Sequence, residues 1–600
     1  MELQFIDIAI VLAYLAVMIV VGFVAERRAR AGLQDYFLGG NQMPWWVLSM
    51  SNATTMFDVS GTMWLVSMLY VYGLKSVFIP WLWPVFNQIF LMVYLSMWLR
   101  RSGALTGAEW ITLRFGDDRG AEASRISVVI FALVSVIGFT GYAFIGIAKF
   151  SAVFLPPLLS PGTYALVIIG VTTLYTVVGG LYSVVIADVI QFVLKIICCV
   201  AIGYIAMHQV SPESLAAVVP EGWADIRFGW ELDLDWSKVL PAVESQIESD
   251  GYTLFGAFFL MMVFKGILVS MAGPAPNYDM QRILAARSAK EAALMSGFVT
   301  VVLFSPRYFM VAGITVLALV SLRDTTVASG QLDVEQVLPM VIRDLVPTGL
   351  KGLMIAGLLA AFMSTFSGTI NAAAAYLVND VYKRYFRPAA SERSYIRASY
   401  LASVAVVIVG CAAGYFTPSV HEATKWITAA LWGGYAAPNV LKWHWWRFNG
   451  WGYFWGMMTG ILGAVAVAIL PRLGFSPVEP LSAFPFILSL SLLGSVAGSV
   501  FTPAERESVL LDFYTRTRPW GLWGPIRAAA VARDPSFVPN RDLPRDAFNV
   551  AIGTIWQTAF VALPIYIVIQ DWRHAAVAFG VIAAISIVLK RNWYDRLESQ

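Results

Sequence analysis

Residues 45–72 decide the fold, and they read WWVLSMSNATTMFDVSGTMWLVSMLYVY. The stretch exceeds the roughly 20 mostly apolar residues that a helix needs to cross a bilayer. Its centre is polar, with a carboxylate at Asp58 followed by Ser60 and Gly61. Polar backbone at membrane depth is tolerated only where it lines a cavity or is buried in protein. The stretch therefore predicts a broken membrane helix beside a transport path, unless its polar side chains only join two helices.

The composition places the whole chain in a bilayer. Of its 600 residues 58% are hydrophobic and 13% charged, and the mean hydropathy is +0.69. Soluble domains carry about 25% charged residues, so we expect an all-α polytopic membrane protein and exclude secreted, fibrous and disordered classes. The net charge is only +3, and the basic residues do not form one long stripe, which excludes a nucleic-acid surface. Cys198, Cys199 and Cys411 lie inside apolar runs and predict neither disulfides nor a metal site.

Fifteen apolar runs have the length of a membrane span. They lie at about residues 5–24, 45–72, 78–99, 126–154, 162–179, 184–207, 251–273, 293–319, 348–379, 396–416, 424–441, 452–470, 482–500, 549–569 and 574–590. The first run has no basic region before it, so we expect a retained span rather than a signal peptide.

The distribution of Lys and Arg orients these spans. One alternating set of loops holds 28 of the 41 basic residues, whereas the longest opposite loop, residues 208–250, is acidic. Basic loops stay in the cytoplasm. We therefore predict a cell membrane protein with its N-terminus outside and its C-terminus in the cytoplasm, which requires an odd number of spans.

The ninth span carries neighbouring hydroxyl side chains at Ser364, Thr365, Ser367 and Thr369. Hydroxyl oxygens are hard ligands that suit sodium. In membrane helices they also commonly bond to their own backbone or to a neighbouring helix. Both interpretations remain open from the residues alone.

Five ionisable residues fall inside predicted spans, where a charge is costly and indicates function: Asp58, Asp188, Lys195, Lys265 and Arg307. Lys265 and Arg307 either meet a carboxylate on the solute or neutralise Asp58. Asp188 and Lys195 share a helix face and either anchor the fold or act in it.

Further polar and aromatic side chains within spans are candidates for a cavity wall. They are Ser60, Trp81, Asn87 and Trp432, for which helix packing is the alternative. No histidine has a partner at metal-ligand spacing, and no nucleotide-binding or hydrolase motif is present, so we expect no enzyme, no organic cofactor and no metal beyond sodium.

Four segments stand in an order and spacing typical of one transporter family. They are YFLGG at 36–40 with MPWW at 43–46; GGLYS at 179–183 with Asp188 and Gln191; QRILAARS at 281–288 with Lys290 and Glu291; and AFMST at 361–365 with Asn371, Asp380 and YK at 382–383. Together they resemble the sodium:solute symporter family over about residues 5–450.

The resemblance implies a leucine-transporter-type fold, two inverted repeats of five helices with one N-terminal and about four C-terminal helices. The implied segments are an N-terminal helix and loop (1–44), the repeats (45–207 and 251–447) around an outer loop (208–250), two extra helices (448–500), a cytoplasmic linker (501–548) and a final hairpin (549–600).

The resemblance also implies a sodium site. Its ligands would be the carbonyl oxygens of Met56, Val59 and Ala361 and the hydroxyls of Ser364 and Thr365. Asp188 and Ser367 match positions near a second cation or an exit route in some members.

Two departures bear on the solute. Sugar-carrying members have a carboxylate where Trp81 stands here and a glutamine where Met63 stands. We therefore expect a sodium-coupled symporter for a small carboxylate-bearing or amino-acid-like solute, working by alternating access. A sugar or other neutral solute, proton coupling through Asp58, and a transporter-like solute sensor are the alternatives. The lipid bilayer and the solute are the expected partners.

Overall fold

We describe the protein from a computed structural model. It describes residues 3–29, 43–83, 85–104, 107–155, 158–274, 278–322, 333–417, 419–425, 427, 432–474 and 480–597. The predicted segment 36–40 and parts of the predicted span 424–441 lie outside these residues, as do the side chains of 179–183. The described residues form helices and no β-strand, which confirms the all-α prediction.

We number the main helices in chain order. They are α1 (Phe5–Ala29), α2 (Trp45–Met56), α3 (Val59–Tyr72), α4 (87–101, with a π-helical segment Leu91–Leu95), α5 (Gly107–Phe115), α6 (Arg119–Phe154), α7 (Pro161–Gln209), α8 (Pro241–Asp250), α9 (Phe255–Met271), α10 (Tyr278–Ala285), α11 (Ala289–Ser321), α12 (Val337–Leu345), α13 (Leu350–Ala375), α14 (Glu392–Tyr415), α15 (Trp432–His444), α16 (Gly450–Ile469), α17 (Pro480–Val500), α18 (Glu507–Thr517), α19 (Gly524–Arg533), α20 (Leu543–Val568) and α21 (Trp572–Asn592).

The predicted break in the second span is present between α2 and α3. Phe57 ends α2 outside helical geometry, and Asp58 is extended, with φ −92° and ψ 158°. The Asp58 carboxylate then accepts a hydrogen bond from the Gly61 N–H at 2.7 Å and caps α3. One aspartate thus stops the first half-helix from continuing and starts the second.

The number of spans differs from the prediction. In the described part of the chain nine helices are long and apolar enough to cross a membrane, and three shorter apolar helices accompany them. The predicted spans 162–179 and 184–207 both lie within α7, and the start of the predicted span 78–99 is a 3₁₀ helix, Gly73–Leu82. The count of fifteen is not confirmed, because apolar runs do not mark where helices join or bend.

The helices after α15 pack onto the bundle. α20 lies against α11, and the Gln557 amide donates to the Val85 carbonyl oxygen at 2.9 Å. The Trp593 indole N–H donates to the Met92 carbonyl oxygen at 3.0 Å. The final hairpin therefore braces the region where α4 begins.

Candidate functional site

A cavity of about 190 Å³ lies beside the break between α2 and α3. Its charged and polar lining residues include Asp58, Asn87, Tyr142, Asp279, Arg307 and Thr365. Its aromatic lining residues include Trp64, Trp83, Phe139, Phe304, Tyr308 and Trp432. A largely apolar wall with a few convergent polar groups is typical of a small-molecule site.

One wall of the cavity is built around Arg307, which α11 directs at the helix break. Its Nη1 donates to the Met56 carbonyl oxygen at 3.1 Å, and its Nη2 lies 3.3 Å from Asp58 Oδ1. The Tyr142 hydroxyl donates to the other Asp58 oxygen at 2.8 Å. A methyl group at Gly61 would lie 2.5 Å from Asp58 Oδ1, so glycine leaves room for this network.

A second carboxylate, Asp279, closes the end of the cavity on the α10 side. It accepts hydrogen bonds from the side-chain amides of Asn52 at 2.7 Å, Asn87 at 3.1 Å and Gln88 at 3.3 Å. Neither Asp279 nor Tyr142 is among the residues that the sequence indicates for the cavity. Asp279 is a carboxylate two residues before the QRILAARS segment, which is a usable signal, whereas one more tyrosine in an apolar span gives none.

The predicted sodium ligands of α13 lie against the end of α2. Thr365 Oγ1 donates to the carbonyl oxygens of Thr55 at 2.5 Å and Ala361 at 3.1 Å. Ser364 Oγ lies 3.3 Å from Thr55 Oγ1. Met56 and Thr365 line the main cavity, and Val59 and Thr365 line a neighbouring void of about 20 Å³. The candidate ligand atoms are carbonyl and hydroxyl oxygens at a broken helix, and such oxygens suit sodium.

Asp188 lies next to this cluster, in α7. Its Oδ1 accepts a hydrogen bond from Ser364 Oγ at 2.5 Å, and its Oδ2 accepts one from Ser51 Oγ at 2.5 Å and lies 3.1 Å from Arg282 Nη2. Ser367 donates to the Ser364 carbonyl oxygen at 3.1 Å. Asp188 is thus buried in an ion pair that links α7 to α10, and its hydrogen bond from Ser364 adds α13.

Five of the seven predicted cavity residues line a void beside the helix break. Asp58, Asn87, Arg307 and Trp432 line the main cavity. Ser60 lines only the small void beside it.

Trp81 and Lys265 lie outside the wall of the cavity, contrary to the sequence expectation. Trp81 packs edge-on against Phe78 and Phe86, and the Lys265 ammonium donates to the Leu82 carbonyl oxygen at 2.7 Å. Trp81 stands in the 3₁₀ helix Gly73–Leu82, which turns at a different period from an α-helix. Lys265 lies on α9, where its side chain points at the end of that 3₁₀ helix rather than at the cavity.

The sequence of this chain matches the profile of a known transporter family. The profile described as "Sodium:solute symporter family" matches residues 36–460, which is most of the chain.

The chain belongs to the sodium:solute symporter family.

The curated relatives that the chain resembles are named as sodium-coupled cotransporters of sugars and of the polyol myo-inositol. The chain is 26% identical to the sodium/glucose cotransporter 4 of Danio rerio, over 85% of this chain and 81% of that protein. It is 26% identical to the human sodium/myo-inositol cotransporter, over 77% and 67%. It is 25% identical to the sodium/glucose cotransporter of Vibrio parahaemolyticus, over 81% and 87%.

A solved structure supports the fold. A sodium-coupled sialic acid symporter, solved in a substrate-bound outward-open state, matches with a TM-score of 0.63 at 19% identity, over 84% of this chain and 99% of that one. The fold is leucine-transporter-like, as the resemblance implied. The protein is therefore a multi-pass membrane symporter of a small-molecule solute and not an enzyme.

Proposed function

We propose that this symporter couples sodium to the uptake of a small solute that carries a carboxylate, with an amino-acid-like solute as the best fit. The observation that carries the proposal is Arg307 in the cavity wall. Its guanidinium is paired with Asp58, yet its Nε is buried without a hydrogen-bond partner among the described residues. Guanidinium groups bind carboxylates through two parallel N–H donors, which makes this edge a fitting carboxylate receptor.

The rest of the wall supports a solute with both an acidic and a donating group. In the described part of the chain Trp432 Nε1 and Asn87 Oδ1 are also buried without a partner. A buried polar atom that lacks a partner costs about 1–3 kcal/mol, and a bound solute with complementary groups would recover that cost. The indole donor and Arg307 suit a carboxylate, whereas Asn87, beside the Asp279 carboxylate, suits an ammonium group.

Sodium enters this proposal as the co-transported ion. Its ligands would be the carbonyl oxygens of Met56, Val59 and Ala361 and the hydroxyls of Ser364 and Thr365. These groups belong to α2, α3 and α13, so a bound ion would hold the broken helix against α13. A ligand shifts a conformational equilibrium by its difference in affinity for the two states, and sodium held this way favours the state in which the three helices meet.

We propose the exit route, rather than a second cation, for Asp188 and Ser367. Both Asp188 oxygens already have partners, and one of these is the Ser364 hydroxyl of the proposed sodium site. Arg282 pairs with Asp188 from the short helix α10. This helix belongs to a connection between spans that the basic residues predict to be cytoplasmic. Breaking the Arg282 pair would open a polar path from the sodium site toward that side.

A neutral sugar or polyol is the second candidate, because the curated relatives named above carry such solutes. The same cavity has enough hydrogen-bonding groups for a polyol, and its size does not favour one solute class over the other. Charge selectivity separates the two candidates.

The test is a thermal-stability screen of the purified protein in detergent, in sodium and in choline chloride. The panel holds zwitterionic amino acids, monocarboxylates and neutral sugars and polyols, since a ligand that binds the folded state raises the melting temperature. We expect sodium-dependent shifts from carboxylate-bearing solutes and their loss in Arg307→Gln. The matched control is Lys265→Met, a second buried cation that lies outside the cavity.

A screen in which only neutral solutes bind, and Arg307→Gln leaves their shift unchanged, would overturn the carboxylate assignment. A native protein with no sodium effect would overturn the proposed coupling ion in favour of protons. Uptake of the identified solute into proteoliposomes then separates a transporter from a solute sensor.

A further inference from the structure

Two cationic side chains, Lys195 and Arg307, donate hydrogen bonds to the carbonyl end of α2. The helix ends at Met56, so its last carbonyl oxygens are poorly satisfied by the helix itself, and from the backbone of the described residues Thr54 O accepts only the Phe57 N–H, at 3.3 Å. Side chains donate hydrogen bonds to this end of the helix. The Lys195 ammonium donates to Thr54 O at 2.8 Å and to Phe57 O at 3.3 Å, the Thr365 hydroxyl donates to Thr55 O, and Arg307 Nη1 donates to Met56 O. Two protein cations thus bond to one helix end.

These two cations differ in what else they touch. Lys195 is buried and is not among the residues that line the main cavity. Arg307 lines the cavity, and its Nη1 donates to the same Met56 carbonyl oxygen that belongs to the proposed sodium site. Sodium at that oxygen would be within a few ångströms of a guanidinium, and like charges at this separation repel strongly in a protein interior. Arg307 must therefore withdraw Nη1 when sodium binds.

The withdrawal has a defined consequence for the solute. Arg307 Nη2 keeps its contacts with Asp58 and Thr62, at 3.3 Å and 3.2 Å, so the guanidinium stays anchored in the wall. Nη1 loses its acceptor at the same time, and Nε has none among the described residues. Nη1 then offers a free N–H to a solute carboxylate, and the Nε–H on the other edge of the guanidinium is a second donor without a protein acceptor among the described residues.

We propose that the Met56 carbonyl oxygen is the coupling atom of the symporter, held by Arg307 in the absence of sodium and released to sodium when the ion binds, which frees Arg307 for the solute carboxylate. This inference rests on the proposed function and adds its mechanism. Sodium binds first because it prepares the carboxylate receptor. By reciprocity, a solute that holds Arg307 away from Met56 strengthens sodium binding.

The experiment uses sodium alone as the probe. Sodium chloride titrations of the purified protein, at constant ionic strength with choline chloride, give an apparent dissociation constant from the melting temperature. We expect Arg307→Gln to bind sodium about tenfold more tightly, equal to about 1.4 kcal/mol, because the competitor for Met56 is gone. Lys265→Met should leave the sodium constant unchanged even where it lowers the melting temperature.

A double variant separates competition from simple charge. Arg307→Gln leaves Asp58 without its ion-pair partner, and an unpaired carboxylate would by itself attract sodium. In Asp58→Asn/Arg307→Gln both charges are absent, and we still expect sodium to bind more tightly than in Asp58→Asn. Arg307→Lys provides the measurement if the glutamine variant does not fold, since its shorter ammonium should compete less well for Met56.

The outcomes distinguish the two proposals. Equal or weaker sodium binding in the double variant than in Asp58→Asn, with a clear sodium effect in the native protein, would overturn the coupling role of Met56 and leave the sodium site intact. Absence of any sodium effect in the native protein would overturn the sodium site and the coupling atom together.

Discussion

At the scale of single residues, Asp58 both caps the start of α3 and forms an ion pair at membrane depth. Its carboxylate caps α3 through Gly61 and forms an ion pair with Arg307, so the cost of a charge at membrane depth is offset by two sets of partners. Tyr142 adds a third contact from α6. The polar centre of residues 45–72 is therefore a connected network of hydrogen bonds that joins three helices.

The first residue-scale prediction concerns the hydroxyls of α13. Ser364→Ala and Thr365→Ala each remove an oxygen from the proposed sodium site, and we expect each to weaken sodium binding about tenfold or more, since a lost bond to a charged group costs about 1.5–3 kcal/mol. The measurement is the sodium titration of melting temperature.

Ser399→Ala is the control for this pair. Ser399 is buried in α14, and its hydroxyl donates to the Tyr395 carbonyl oxygen of its own helix at 3.0 Å. It should leave the sodium constant unchanged. Sodium binding that survives intact in the Ser364→Ala/Thr365→Ala double variant would contradict the assigned ligands.

At the scale of elements, the segment 501–548 is more than the linker that its composition suggested. It contains α18 and α19, and the Trp523 indole N–H donates to the Trp443 carbonyl oxygen at 2.9 Å. Arg114 of α5 lies over the rings of Phe513 and Trp523 at 5.2 Å and 4.9 Å. The segment thus packs on the ends of α5 and α15, the predicted cytoplasmic side of both repeats.

Glu505 makes this contact sensitive to pH. Its carboxylate accepts a hydrogen bond from the Gly450 N–H at 2.9 Å, and burial raises its pKa to about 7. The Gly450 N–H, Arg114 and Arg506 lower this pKa, and Asp118 raises it. Because the folded protein holds this proton more tightly than the unfolded chain, the free energy of unfolding falls as pH rises from about 4.5 to about 7 and then levels.

We expect Glu505→Gln to remove this dependence. The amide oxygen keeps an acceptor for Gly450 without a charge, so the variant should exceed the native melting temperature by about 1–2 °C at pH 8 and match it near pH 5. The measurement is a pair of melting curves across that pH range. Parallel curves for the two proteins would show that Glu505 does not titrate in this window.

At the scale of the whole molecule, the parts outside the two predicted repeats are bound into the bundle. The Asp7 carboxylate near the start of α1 accepts hydrogen bonds from the N–H groups of Gly349 and Gly352, at 2.8 Å and 2.9 Å. The Gln570 amide at the turn between α20 and α21 donates to the Met207 and Val210 carbonyl oxygens, both at 3.0 Å. The first helix and the last pair of helices are therefore both hydrogen-bonded to the bundle.

The orientation of the molecule is a prediction of the charge pattern and can be measured with thiol labelling. Ser237 and Ser536 are exposed, in the acidic loop and in segment 501–548. We expect Ser237→Cys to react with a membrane-impermeant maleimide in intact cells and Ser536→Cys only after permeabilisation. The native protein is the control, since Cys198, Cys199 and Cys411 are buried. The reverse pattern would invert the predicted topology.

The sequence by itself determined the membrane class, the broken helix and the family. These follow from patterns that are local along the chain: apolar runs of span length, a polar carboxylate-bearing centre in residues 45–72, and four ordered segments. Asp58, Asn87, Arg307 and Trp432, which the sequence indicates as candidates, line the cavity in the structure, where a charge or polar group inside an apolar span finds one of its few stable places.

Only the tertiary structure decided which of these groups meet. The pairing of Asp58 with Arg307 joins residues 249 positions apart, and Asp279 enters the cavity from the first turn of the short helix α10. Trp81 lies off the cavity wall in a 3₁₀ helix, whose period differs from that of an α-helix, and Lys265 on α9 bonds to the Leu82 carbonyl oxygen at the end of that 3₁₀ helix. The sequence sets which groups are costly to bury, and three-dimensional packing sets which partners offset that cost.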